Sequence, residues 1–396
     1  MKLRTICIMG RLLDQEDGLG VYSSHLLRRL FAMDRDSRYV VLLRSDKCAD
    51  LFDSYPNVQT RVIPSRSKLW WDQVTVPLAA GRVGADIIFN PKFSLPLLSR
   101  IPGVFVLHGS DWYVNPDNYS KWDNLYIRMM MPLYCRKATR LLAISNVVVD
   151  DLVQYAHLER SKVTVSYAAP APHFRPVEDR TRLREFAERY RLPERFMLTV
   201  GRVYHTGSDQ PVEYPGGNNE KLMRAYQRYR TAGGKLDLVV AGRDIDRYLR
   251  SHGFGDRDFE GVHFTGFIPN EEIVKAYNLA EFFVLATLYE SFCLPLVEAM
   301  ACGCPAVVPN TGGCPEIAQG AARLIDPRSV QEIADGLLAL ERSPELRLQM
   351  RSAGLERVKM FSWDQTARKT LEVFDAIIPR NGSLEKRFRT ELMNNA

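Results

Sequence analysis

The chain has 396 residues, more than one ordinary hydrophobic core organises, so two domains are expected. Hydrophobic residues make up 46% and charged residues 25%, a globular balance, and no apolar run approaches the roughly 20 residues that span a bilayer. A formal charge of +6 is too mild at this length to argue for nucleic acid, but it suits anionic substrates or brief contact with an anionic membrane face.

Met1–Met9 reads as a strand rather than a signal peptide, and a cytoplasmic location is expected. Thr5–Met9 is apolar enough for a buried strand, and Val21–Met33 has helical spacing. Between them, Asp17-Gly18-Leu19-Gly20-Val21-Tyr22 reads as a glycine-bearing loop that lets backbone approach a ligand, or as a turn that merely packs. Further strands are expected at Tyr39–Leu43, Thr60–Ile63, Asp86–Phe89, Val104–Leu107 and Leu141–Ile144. Alternation of this kind predicts an α/β domain with a parallel, doubly wound sheet.

Ala169–Pro176 carries three prolines and reads as a linker. The pattern then restarts with strands at Phe196–Val200, Leu236–Ala241, His263–Gly266, Phe282–Ala286, Ala306–Val308 and Ala322–Ile325, a second domain of the same class. The expected division is 1–172, 173–360, a closing helix over 361–378, and a polar, disordered tail over 379–396.

The chemistry concentrates in YESFCLPLVEAMACGCPAVV, Tyr289–Val308. Glu290 and Glu298 have seven residues between them, and an apolar helix, Leu294–Ala301, starts after Glu290 and stops before Gly303. The backbone N–H groups of Phe292, Cys293 and Leu294 are then free to meet an anion. The carboxylates can hold sugar hydroxyls and a ribose, or can be solvated groups on a buried helix. Gly201-Arg202 ends one strand, where an arginine can fork two diphosphate oxygens or sit on a surface turn. His108 ends another strand, where open α/β sheets bind ligands, although a lone histidine there often only packs. Seven cysteines contain no CxxC pair. Cys302, Cys304 and Cys314 lack the spacing and fourth ligand of a zinc site, so reduced, mostly buried thiols are expected.

Two basic–aromatic stretches, Arg66–Trp71 and Lys121–Arg140, either lie on an anionic membrane or combine core aromatics with a solvated face.

The segment Tyr289–Val308, continued by Asn310–Ile317 and by Phe361-Ser362-Trp363, resembles the E-x7-E signature of retaining glycosyltransferases of family 4, group 1 type. That resemblance covers nearly the whole chain and is most specific between Phe264 and Phe374. It implies the GT-B architecture, two facing Rossmann-like domains with the nucleotide site in the cleft between them. It implies that Glu290 touches the donor sugar, Glu298 bonds the ribose and Arg202, after Gly201, binds the diphosphate. It further implies that Phe267 and Ile268 sandwich the base, that Gly18, Gly20 and Ser145 face the donor, and that His108 lies beside the reacting sugar. The family's diphosphate lysine falls on Gly217 here, and Lys221, one turn on, is the candidate substitute.

The activity so implied is retaining, metal-independent transfer of a hexose from a nucleotide-diphosphate sugar to a saccharide or lipid-linked acceptor, in surface polysaccharide or glycoconjugate synthesis. GDP-mannose is the favoured donor and UDP-sugars come next. No cofactor, metal ion or nucleic acid is expected, and peripheral contact with the inner membrane face is a further expectation. The alternative is a non-catalytic nucleotide-sugar-binding relative. A phosphorylase would be longer and carry a pyridoxal lysine, an epimerase would lack the helix after Glu290, and a dehydrogenase would need a strand-terminal acid for its nicotinamide cofactor.

Overall fold

The computed structural model describes residues 3–14, 18–205 and 211–379. The chain divides into two compact units: Met1–Val114 with Ser120–Ala168 and Ser362 onward, and Asn115–Tyr119 with Ala169–Phe361.

The first unit carries seven strands: β1 (Arg4–Met9), β2 (Ser37–Leu43), β3 (Val58–Val62), β4 (Ile87–Asn90), β5 (Gly103–Leu107), β6 (Arg140–Ala143) and β7 (Val163–Val165). They form one parallel sheet in the order β3-β2-β1-β4-β5-β6-β7. All residues of β1, β4 and β5 are buried, which is why these strands read as continuous apolar runs. The first helix starts at Gly18, not at Val21, so Gly18 and Gly20 form its first turn instead of a loop before it.

The last described helix, Trp363–Ile377, is capped by Ser362 and packs on this unit. Thr366 donates to the Tyr167 carbonyl at 2.7 Å, Lys369 donates to that of Val165 at 2.7 Å, and Phe374 packs edge-on against Phe89. The Arg4 guanidinium, buried on β1, donates to Asp375 and to the Ile378 carbonyl at 2.8 Å each and pairs with Asp34 at 3.3 Å. The residues from 380 lie outside the described part, and with them all but the first residue of the expected tail.

The second unit has a parallel sheet of β8 (Phe196–Val200), β11 (Asp237–Ala241), β12 (Val262–Gly266), β13 (Phe282–Val284), β14 (Ala306–Pro309) and β15 (Arg323–Ile325), in the order β12-β11-β8-β13-β14-β15. Beyond β8 the chain forms a two-stranded antiparallel ribbon, β9 (Val203–His205) with β10 (Pro211–Glu213). Both main sheets reverse their winding beside their first strand, between β1 and β4 and between β8 and β13. Such a switch point opens a crevice at the carboxyl ends of the strands.

Candidate functional site

In the second unit the switch point holds a cavity of about 290 Å³. Its lining combines Gly201 and Arg202 from the end of β8, Ala286, Thr287 and Glu290 from beyond β13, and Gly217–Asn219 at the start of helix Asn219–Thr231. Close packing shapes these loops. A Cβ on Gly201 would meet Ile245 Cδ1 at 2.5 Å, and the side-chain amide of Asn218 donates to the Ala286 and Pro327 carbonyls at 2.8 and 2.7 Å. Arg202 lies exposed over the Tyr214 ring, 5.1 Å from its centroid.

Glu290 enters the lining from a segment held by its own backbone. Gly313 N–H donates to the Glu290 carbonyl at 2.6 Å, and a Cβ on Gly312, whose φ is +58°, would come within 2.4 Å of that oxygen. Helix Leu294–Ala301 begins just beyond, with buried Phe292 stacked edge-on against Phe361 and Cys293 as the cap residue. Cys293 is left-handed, at φ 65° and ψ 56°, a conformation that usually favours glycine. Its thiol is hydrogen-bonded to the buried Cys314. Leu294 is half-buried, and Pro295 lines the cavity.

Glu298 sits one turn into the same helix and is not part of that lining. Tyr277 donates its hydroxyl hydrogen to Glu298 Oε2 at 3.2 Å. Burial pushes the Glu298 carboxyl up to about 8, and the Tyr277 bond offsets part of that rise. Nothing in local spacing joins Tyr277 to Glu298, 21 positions on.

Gly217 is packed by an acid. A Cβ there would meet Glu213 Cγ at 2.4 Å, and Glu213 Oε1 accepts from the backbone and side-chain amides of Asn219 at 2.6 and 2.7 Å. Burial raises the Glu213 carboxyl above its ordinary range. Lys221 is not brought to the cavity; its ammonium donates to the Arg328 carbonyl at 3.3 Å.

Phe267 and Ile268 follow β12. Ile268 is buried, whereas the exposed Phe267 ring lies under the Arg243 guanidinium at 5.6 Å. Arg243 was not singled out from the sequence.

In the first unit His108 follows β5. Its Nε2–H donates to the Pro91 carbonyl at 2.6 Å, which fixes the tautomer, and the Tyr22 ring meets it edge-on at 4.6 Å. Tyr22 also meets Trp363 at 5.4 Å. Gly20 is buried, while a Cβ on Gly18 would touch nothing, and Asp17 lies outside the described residues. Ser145 is fully buried and caps helix Asn146–Ala156, accepting from Val148 N–H at 3.4 Å. His108, Gly18, Gly20 and Ser145 thus belong to one unit, and the remaining candidates to the other.

Among the described residues no group of three or more His, Cys, Asp or Glu side chains is arranged to hold a metal ion. All seven cysteines are free thiols, six of them buried.

Residues 17–168 match the family described as Glycosyltransferase Family 4, and residues 217–357 match Glycosyl transferases group 1. The chain is 25% identical over 319 residues to the serotype-specific mannosyltransferase WbdA of Escherichia coli, covering 78% of this chain and 35% of WbdA. It therefore spans about a third of that relative's length. The O-antigen chain mannosyltransferase B of Escherichia coli is 24% identical over 391 residues, 90% of this chain and 95% of that one. Among solved structures, a glycosyltransferase from Rickettsia africae has a TM-score of 0.72 at 15% identity, covering 96% of this chain and all (100%) of that one. Anabaena HepE, solved with UDP and glucose, has a TM-score of 0.69 at 18% identity, covering 94% and 100%. At such identities the structural likeness shows the fold.

Proposed function

The chain belongs to the two-domain glycosyltransferases, with a Family 4 first half and a group 1 second half, and on that premise we propose that it transfers a hexose from a nucleotide-diphosphate sugar to a saccharide or lipid-linked acceptor. The observation that carries the proposal is the joint presence of Arg202 and Glu290 in the lining of one cavity at the β8/β13 switch point. The donor is GDP-mannose, a reading supported by the mannosyltransferases among the relatives, and the process is surface polysaccharide or glycoconjugate synthesis.

Arg202 and the amino end of helix Leu294–Ala301 carry the charge of the departing diphosphate; preorganised stabilisation of that kind is usually the largest catalytic contribution. Glu290 and His108 orient the sugar, Glu298 takes the ribose, and the chain around Phe267 and Ile268 takes the base. Gly18, Gly20 and Ser145 are assigned to the donor side as well. Transfer proceeds with retention by attack on the face that the leaving group departs from, and the leaving phosphate helps to deprotonate the acceptor. No divalent ion takes part.

No helix among the described residues is long and apolar enough to cross a membrane. The helix Lys121–Lys137 nevertheless turns an apolar stripe outward: Trp122 (80% exposed), Leu125, Tyr126, Met129 (60%) and Leu133, with exposed Lys121, Arg128 and Arg136 alongside. Apolar side chains at that spacing beside cations favour peripheral contact with an anionic membrane, here the inner face.

The test is a thermal-shift screen against GDP, UDP and ADP, followed by transfer from the matching mannose or glucose donor. Stabilisation by GDP above the others is the expected result. A chain that no nucleotide stabilises refutes the proposal, and one that binds donor without turning it over is a non-catalytic relative.

A further inference from the structure

The cavity at the β8/β13 switch point has one more polar side chain in its lining that carries no role so far, Asn219. It is the first residue of helix Asn219–Thr231 and shares the lining with Arg202 and Glu290. Its Oδ1 lies over the Gly201 backbone, where a Cβ on that glycine would stand 3.2 Å from it. The amide is therefore at the Gly201–Arg202 end of the cavity.

Glu213, at the end of β10, decides how that amide is turned. Glu213 Oε1 accepts the Asn219 backbone N–H at 2.6 Å, so it acts as an acceptor, and the Asn219 side-chain atom 2.7 Å from it is the amide nitrogen. Tyr248 bonds the other carboxyl oxygen, Oε2, at 3.2 Å, and its hydroxyl also lies 3.3 Å from Glu220 Oε1. Glu213 itself is not part of the cavity lining, and burial raises its carboxyl above the ordinary range. It reaches Asn219 past Gly217, where a Cβ would meet Glu213 Cγ at 2.4 Å. A side chain at position 217 would push the carboxyl away.

An amide nitrogen carries two hydrogens. Glu213 takes one of those on Asn219, and among the described residues the other meets no acceptor. An N–H on a cavity wall beside a guanidinium suits an anionic oxygen, which accepts the stronger, charge-assisted hydrogen bond.

We propose that Asn219 binds the donor's diphosphate, on the phosphate next to the sugar, and that Glu213 is the positioning residue that aims its amide. The inference rests on the glycosyltransferase reading, which puts a nucleoside diphosphate in this cavity. The sugar-side phosphate is chosen because Asn219 shares its wall with Glu290, the residue assigned to the sugar.

Calorimetry on the full chain compares GDP with GMP, or UDP with UMP if the uridine nucleotide is the one that stabilises it. Asn219→Ala should weaken the diphosphate about tenfold or more and leave the monophosphate unchanged. Glu213→Ala should give the same split, and the double variant should lose no more than either alone, because both remove one contact. Glu213→Gln should keep wild-type affinity: its amide oxygen still accepts from Asn219, and its nitrogen donates to Tyr248. That rescue tells positioning from lost packing, and its failure refutes the role of Glu213. Equal weakening of diphosphate and monophosphate in the Ala variants marks a loosened fold and overturns the inference, as does an Asn219→Ala chain with wild-type diphosphate affinity. A wild-type chain that binds no nucleoside diphosphate overturns the glycosyltransferase reading itself.

Discussion

Tyr277 and Glu298 share a hydrogen bond of 3.2 Å between neighbouring helices, with the phenol as donor. Part of the Glu298 residue reaches the surface, yet its carboxyl is packed away from water and rises from 4.5 to about 8. The folded chain therefore holds a proton that the unfolded chain has released. The stability it brings is complete below about pH 4.5 and is lost as pH rises through about 8. Glu298→Gln cannot ionise. Between about pH 5 and about pH 9, urea denaturation should show the wild type losing about 4 kcal/mol relative to this variant, as the shift from 4.5 to about 8 requires. Parallel pH curves would show that Glu298 keeps an ordinary carboxyl.

The two glutamates of the signature should separate in kinetics. Glu298→Ala is expected to weaken nucleotide binding by about 0.5–1.5 kcal/mol, the worth of a hydrogen bond between neutral groups, because the buried carboxyl keeps its proton below about pH 8. Glu290→Ala should lower turnover with little change in nucleotide affinity. Calorimetry with GDP and UDP beside a transfer assay distinguishes them, and equal losses of affinity contradict the assignment.

Arg202 stands without a lysine at position 217, and Lys221 is engaged by the Arg328 carbonyl. Arg202→Ala should therefore raise the barrier to transfer by about 4 kcal/mol, the upper end of what one donor to a developing anion contributes. Lys221→Ala should change it little, and the double variant should equal the sum. A Lys221→Ala loss as large as that of Arg202→Ala, with less-than-additive combination, would mean that Lys221 moves to the diphosphate when donor binds.

Nucleotide binding is expected to survive EDTA unchanged and to gain nothing from added magnesium. Binding that vanishes with the chelator and returns with the metal is the contrary result.

Tyr22 bears on His108 through its ring, because its hydroxyl is buried with no hydrogen-bond partner among the described residues. Tyr22→Phe should keep activity and gain up to about 1 kcal/mol, since it removes an unsatisfied buried group. Tyr22→Ala should cost about 3–5 kcal/mol by opening a cavity beside His108 and Trp363. Thermal denaturation of both variants decides it, and a destabilised Tyr22→Phe reveals a partner for the hydroxyl.

How much the sequence disclosed depended on burial. Strands such as β1 and β14, covered on both faces, announce themselves as apolar runs. Val163–Val165 is short and half-buried throughout, and it went unseen. Val203–His205 and Pro211–Glu213 pair with each other, and at three residues apiece they are too short to show the alternation that marks a strand. Gly18 and Gly20 suggested a loop because glycine is a poor helix former, yet they open the first helix. The signature glutamates, Arg202 and His108 were visible through motif and strand position. Tyr277, Glu213 and Tyr22 were not, because they reach their partners across elements and no local spacing records such a meeting.

The return of the chain to its first unit sets an order on biosynthesis. Apart from Asn115–Tyr119, the second unit is one continuous stretch and can assemble as soon as Phe361 leaves the ribosome. The first unit, although translated earlier, has to wait. Until residues 363–378 emerge, the Arg4 guanidinium lacks Asp375 and the Ile378 carbonyl, Phe89 lacks Phe374, and the Tyr22 ring beside His108 lacks Trp363. A nascent chain paused before that helix would hold a finished second unit and an unfinished first, with the histidine's surroundings among the last to form.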